Sequence, residues 1–150
     1  MVEPWLALPL AFAGAVLPAF LFRFDGHRWP LVGLSGALGW GTYLLGMAWG
    51  WGPNPALFAG ACVVAAWSEG MSRLLRAPVP ALLVGGVFPL VPGLTAFQAL
   101  EGLLRHQTVL AGQKGTEALA AAVAIALGVL TVTGFARLIP WGLTRSKKVR

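Results

Sequence analysis

Long apolar runs separated by short polar links are the dominant pattern of this chain. The uncharged cores of the runs cover about 4–22, 31–51, 55–67, 79–100 and 118–136. A helix needs about 20 apolar residues to cross a bilayer, and backbone groups in lipid must be paired within the protein. The short alternating strands of a membrane β-barrel do not occur in this pattern. The sequence therefore predicts an all-α integral membrane protein with about five transmembrane helices.

Extending each run to the helical residues at its ends gives the predicted boundaries. The spans are about 4–22, 31–51, 55–71, 79–104 and 118–139, followed by a basic tail at 140–150. The links are too short to fold separately, so residues 1–150 form a single transmembrane domain.

Composition agrees with a membrane location. Of the 150 residues, 57% are hydrophobic and 11% are charged, and the mean hydropathy is +0.76. The formal net charge is +6, but the basic residues lie between and after the apolar runs. They do not form a patch interleaved with aromatic residues, as nucleic-acid grooves require. Membrane lipid is an expected partner, and nucleic acid is not.

The basic residues also predict the orientation of the chain. Cytoplasmic links carry an excess of Lys and Arg. With five spans, nine basic residues fall on the side of the tail and two, Arg105 and Lys114, fall on the opposite side. The nine are Arg23, Arg28, Arg73, Arg76, Arg137, Arg145, Lys147, Lys148 and Arg150. This asymmetry places the N-terminus outside and the C-terminus in the cytoplasm.

The fourth run contains a feature that a continuous helix avoids, the stretch FPLVPGLTAF at 88–97. Pro89 and Pro92 each remove a backbone donor and clash with the preceding turn. We expect the helix to stop near Phe88, Gly93 to adopt a positive φ, and a second helix to begin at about Leu94. A discontinuous crossing span is favoured over a re-entrant hairpin, because a hairpin would leave four crossings and reverse the charge asymmetry.

A break near the bilayer midplane predicts a binding site. Unpaired amides and the positive end of the second half-helix can bind a carboxylate there without a basic side chain. Several transporter folds build substrate sites from broken helices of this kind. The predicted substrate-binding residues are Pro92, Gly93, Leu94, Thr95 and Gln98.

Three charged residues are candidates for gating or coupling. Glu101 and Arg105 share one helical face with Thr95 and Gln98 and lie farther towards the outside. The alternative is that this face is polar only because the helix emerges into water. Glu69 follows the third run and precedes Arg73 by four residues, so a surface ion pair is the alternative to a role in gating.

Catalytic chemistry is not expected. An intramembrane enzyme needs a nucleophile with a base or metal ligands beside it. The hydroxyls of Ser35, Thr42 and Thr95 have no His, Asp or Glu beside them within the uncharged cores, and the lone Cys62 has no disulfide partner. The sequence predicts no catalytic residue, no metal and no cofactor.

The motifs resemble the threonine/serine exporter family, and more narrowly its short second-half subunit. The resemblance rests on Ala65–Arg73, on Arg76-Ala77-Pro78, on Phe88–Gly93 with Thr95-Ala96-Phe97, and on Gly36–Trp40. It covers about 31–140, and Pro-x-Val-Pro-Gly is its most specific part. At Trp40 the chain departs from relatives that carry histidine.

The resemblance implies secondary-active export of threonine and serine across a bacterial-type cytoplasmic membrane. Some split-subunit relatives are associated with dicarboxylate (succinate) export, which is the alternative substrate class. The resemblance also implies a partner, the larger first-half subunit. The patterns of small residues along the spans also allow a homo-oligomer. A scaffold that only stabilises the larger partner is the non-transporting alternative. No ionisable residue lies in the uncharged cores, so any coupling acid must come from span ends or from the partner.

Overall fold

Helices make up nearly all of the structure. The structure is a computed structural model that describes residues 4–21, 29–75 and 78–138. The predicted basic tail at 140–150 lies outside the described residues. The helices are α1 (Pro4–Leu21), α2 (Trp29–Ala48), α3 (Pro53–Leu75), α4 (Val79–Val87), the 3₁₀ helix η1 (Phe88–Leu90), α5 (Gly93–Leu104) and α6 (Thr108–Leu138).

The apolar runs and the helices differ most at the last span. The prediction placed a link between about 104 and 118, whereas α6 already begins at Thr108. In the described residues, α2 and α6 are each long and apolar enough to cross a bilayer, and the α4–α5 pair is a third if it forms one span. Length and hydropathy thus support two or three spans, against about five expected from the sequence.

Helix α2 lies at the centre of the first four helices. It packs against α1, α3 and α4, while α3 also packs against α4 and α6. Gly33 and Gly41 of α2 face α1. A Cβ added at Gly33 would touch the Phe12 ring, and one added at Gly41 would lie 3.5 Å from Leu8. Gly33 and Gly41 therefore serve packing within the chain.

Two glycines bring the backbones of α2 and α3 into close contact. A Cβ added at Gly60 would lie 2.8 Å from the carbonyl oxygen of Gly39. The same groove receives Leu90 of η1, whose methyl groups would lie 3.3 and 3.5 Å from that Cβ. Leu90 is 2% exposed. The groove thereby fixes η1 near the middle of α2 and in the first half of α3.

The predicted break in the fourth run is present. Helix α4 ends at Val87, η1 follows, and α5 leaves at an angle of 55°. Pro89 lies inside η1 and Pro92 is the N-cap of α5. Both prolines lie where the α-helical hydrogen bonds are interrupted, as the loss of their N–H groups predicts.

The expected positive φ at Gly93 is wrong. Gly50 is the described glycine with positive φ, and Gly93 is the first residue of α5. The chain instead turns at Pro92, whose φ of -78° and ψ of 53° define an inverse γ-turn. The amide of Gly93 donates to the carbonyl of Val91 at 2.8 Å across this turn. Proline supplies the required φ, so the glycine does not need an unusual backbone conformation.

Helices α5 and α6 form an antiparallel hairpin closed by a helix C-cap. His106 has a φ of 58°, its amide donates to Leu103, and the amide of Gln107 donates to Gly102 at 2.8 Å. This is the hydrogen-bond pattern of a Schellman motif. A Cβ added at Gly102 would lie 3.0 Å from the backbone nitrogen of Ala111. The short turn and this close approach hold the first part of α6 against α5.

We predict that Gly60→Ala lowers the free energy of unfolding by about 1–3 kcal/mol, because the new methyl meets a backbone carbonyl that cannot rotate away. Gly134→Ala in α6 is the matched control, since a Cβ there meets nothing within 4 Å. The control should be neutral or slightly stabilising. Thermal unfolding of the detergent-solubilised variants measures the difference, and equal stability of the two would contradict the α2–α3 contact.

Candidate functional site

A cavity of about 460 Å³ opens beside the α4–α5 break. Its walls come from Trp40 and Tyr43 of α2, Pro53, Asn54 and Leu57 of α3, Glu117 and Ala121 of α6, and the residues from Pro89 to Thr95. Small-molecule sites commonly occupy cavities of about 300–1,000 Å³. The cavity is large enough for a metabolite of amino-acid size.

The predicted substrate-binding residues divide between two places. Pro92, Gly93, Leu94 and Thr95 line the cavity at the break. Gln98 is one turn farther along α5 and lines a separate depression of about 320 Å³. The first four predicted residues therefore lie together, and Gln98 lies apart from them.

Backbone donors at the start of α5 are directed at the break. The amide of Gly93 is used by the γ-turn, and the amide of Ala96 donates to the carbonyl of Pro92 at 3.0 Å. In the described chain the amides of Leu94 and Thr95 have no hydrogen-bond partner. First-turn amides of a helix have no intrahelical acceptor, and Pro92 has no side chain able to cap them. The positive end of the α5 dipole and two free donors thus meet at the cavity wall.

Trp40 forms the opposite wall. Its ring lies 5.0 Å from that of Tyr43, centroid to centroid, with the planes tilted by 36°. The indole Nε1 is buried without a hydrogen-bond partner in the described residues. Trp40 also borders a second cavity of about 350 Å³ on the α1 side, lined by Ala11 and Pro89 among others. Trp40 therefore borders two cavities and carries a buried donor without a partner in the described residues.

Glu117 is the charged cavity residue that the sequence reasoning missed. It had been placed at the end of a polar link, but α6 begins at Thr108, so Glu117 lies on a helix and lines the cavity. Its Oε2 atom accepts a hydrogen bond from Nζ of Lys114 at 2.7 Å. A Lys and a Glu three residues apart, next to an Ala-rich apolar run, are a signal for helix extension that was available in the sequence.

The predicted outer gating residues lie along the α5–α6 hairpin. Glu101 pairs with Arg105 at 2.8 Å, and both side chains are largely exposed. Glu101 lines the depression that also contains Gln98 and Lys114. Lys114 thus contacts Glu117, which lines the cavity, and also lines the depression that contains Gln98 and Glu101.

Glu69 lies at the other end of α3 from the cavity. Its carboxylate is 3.5 Å from Nη2 of Arg73, and the Glu69 side chain is 18% exposed. Nη2 of Arg73 also donates to the carbonyl of Ala136 in α6 at 3.2 Å. These contacts connect the ends of α3 and α6.

Metal-ligating side chains do not cluster in the described part of the chain. Within 4–21, 29–75 and 78–138, no group of three or more His, Cys, Asp or Glu residues is arranged to hold a metal. The cavity combines aromatic and aliphatic walls with a few polar groups, a composition suited to binding.

Comparison with known proteins identifies the family. The family described as "Threonine/Serine exporter, ThrE" matches residues 7–135. No curated protein and no solved structure matched the chain. The matched region covers most of the 150 residues and contains both the α4–α5 break and the cavity. This chain therefore belongs to the threonine/serine exporter family, a family of membrane transporters.

Proposed function

We propose that this chain is a subunit of a secondary-active exporter of small carboxylate-bearing metabolites, threonine and serine above all, in a bacterial-type cytoplasmic membrane. Membership of the family supports the transport class. The observation that carries the proposal is the cavity at the α4–α5 break, where the amides of Leu94 and Thr95 have no acceptor in the described chain. A substrate carboxylate supplies acceptors for both.

The proposed membrane arrangement has five spans, with α4, η1 and α5 together forming the fourth. Placing the N-terminus outside and the C-terminus in the cytoplasm puts nine of the eleven Lys and Arg residues on the cytoplasmic side. The α2–α3 turn and the α5–α6 hairpin then face outside. Leu90 packs near the middle of α2, which is consistent with a break deep in the bilayer.

Binding in this site uses dipoles that are already oriented. The carboxylate accepts hydrogen bonds from the Leu94 and Thr95 amides, and the Thr95 hydroxyl is a further donor. Asn54 and Tyr43 supply polar atoms from the facing wall. These groups are fixed by the break and by α2–α3 packing, so little reorganisation accompanies binding.

A second subunit is expected to complete the transporter. Helix α5 packs mainly against α6, and Leu94 and Phe97 are 73% and 62% exposed. A five-span half joined to another five-span half has inverted topology, the construction that many alternating-access transporters use. We therefore propose the larger first-half subunit as partner, with rocking of the two halves around the cavity. In this arrangement Glu69, Glu101 and Arg105 act at the ends of the path as gating or coupling groups.

Counterflow in liposomes tests the proposal. The full chain is reconstituted with and without the larger subunit, and labelled threonine, serine and succinate are supplied. Exchange of threonine or serine that requires both chains supports the proposed exporter, while exchange of succinate alone assigns the dicarboxylate alternative. Full activity of the larger subunit by itself would leave this chain with a scaffold role.

We predict that Gly93→Leu abolishes exchange while membrane insertion remains intact. Gly93 lines the cavity, and a Cβ there meets nothing within 4 Å, so we expect the Leu side chain to occupy cavity space. Gly115→Leu is the matched control, because its Cβ is equally unobstructed and Gly115 does not line the cavity. Normal flux in Gly93→Leu would remove the break from the mechanism.

We also predict that Thr95→Val raises the KM for threonine by about 2- to 10-fold, the loss expected for one hydrogen bond. Thr131→Val serves as control, since that hydroxyl donates to Leu127 within its own helix and lies outside the cavity. Initial rates of exchange at graded threonine concentrations measure the effect. An unchanged KM would show that the Thr95 hydroxyl does not contact the substrate.

A further inference from the structure

We infer that Glu117 recognises the ammonium group of the substrate, so that the cavity selects zwitterionic amino acids over dicarboxylates. This inference rests on the proposed function and adds a specificity-determining residue to it. Among the described residues that line the cavity, Glu117 is the one with a charged side chain. The break contributes the positive end of a helix to the same cavity. A carboxylate and a helix N-terminus together complement the two charges of an amino acid.

The contact with Lys114 shows that Glu117 is placed to accept a primary ammonium. Nζ of Lys114 lies 2.7 Å from Oε2 of Glu117, while Oε1 has no partner in the described chain. Lys114 lines the depression that contains Gln98 and Glu101, and it does not line the cavity. Glu117 thus contacts Lys114 and also lines the cavity.

The Lys114–Glu117 pair is weak enough to exchange. The two side chains are 32% and 55% exposed, and ion pairs with this exposure contribute little to stability. The order of charges is also unfavourable, because a Lys that precedes its Glu opposes the helix dipole. When the substrate binds, its ammonium replaces the Lys114 ammonium as the partner of Glu117. The Glu117 carboxylate therefore does not need to be unpaired in the empty cavity.

A dicarboxylate does not fit this charge arrangement. One of its carboxylates can bind the amides of Leu94 and Thr95, but the second carboxylate then faces Glu117 in the same cavity. Like charges that face each other in one cavity repel, so the second carboxylate is disfavoured. The expected order of affinity is therefore threonine and serine first, hydroxy acids without an amino group next, and succinate last.

Ligand pairs that differ only in the amino group test the role of Glu117. Binding of labelled threonine and of 3-hydroxybutyrate, which is threonine without its amino group, is measured on the full chain with the larger subunit in lipid nanodiscs. Glu117→Gln should weaken threonine binding by about tenfold or more, as for a lost hydrogen bond to a charged group, and leave 3-hydroxybutyrate binding unchanged or stronger. Glu117→Asp should retain the preference for threonine, and Thr116→Ala is the adjacent control outside the cavity.

A second variant gives a change of opposite sign. Lys114→Met removes the cation that competes for Glu117, so threonine should bind several-fold more tightly while 3-hydroxybutyrate does not. Loss of a merely structural ion pair would not tighten binding of one ligand alone. Unchanged or weaker threonine binding in Lys114→Met overturns the inference, and so does a Glu117→Gln protein that keeps its preference for threonine. Wild-type protein that binds no threonine or serine would overturn the proposed function itself.

Discussion

The loss of two backbone donors at Pro89 and Pro92 is the constraint on which the rest of this structure depends. In an apolar segment the chain cannot leave broken hydrogen bonds facing lipid, because no water is present to replace them. At the break, η1 packs against α1, α2 and α3. The 3₁₀ turn and the γ-turn absorb part of the interruption, and the donors that remain, on Leu94 and Thr95, face a cavity. A local covalent restriction thereby creates a polar surface within a hydrophobic helix bundle.

Packing of small residues holds this surface in place. Gly39 and Gly60 bring two backbones together and leave a groove that Leu90 fills. Leu90 lies in η1, between α4 and α5, so the groove fixes the point from which α5 departs. On the far side, α6 packs closely on α3, because a Cβ at Gly128 would lie 2.6 Å from the carbonyl of Phe58. Residues with no chemistry of their own thus position the groups that can bind a substrate.

The break and four of the cavity residues were predictable from the sequence because they depend on local rules. Proline restricts its own φ and its neighbour in any environment, so the break required no knowledge of tertiary contacts. The early start of α6 was missed although the spacing of Lys114 and Glu117 favoured a helix, and in the structure Gly102 packs against Ala111 near that start. That contact keeps a polar stretch helical and brings Glu117 to the cavity. Gln98 shares a helical face with Thr95, but helix periodicity does not reveal where a cavity ends.

A site built from backbone groups also explains why so few charged residues are needed. Burying a Lys or Arg side chain within a bilayer is costly, and such residues are rare inside spans. The N-terminus of α5 supplies a partial positive charge without a basic side chain. The negative group, Glu117, makes an exposed contact with Lys114, which limits the cost of the carboxylate. Opposite charges are therefore available to a small zwitterion without an isolated ion deep in the bilayer.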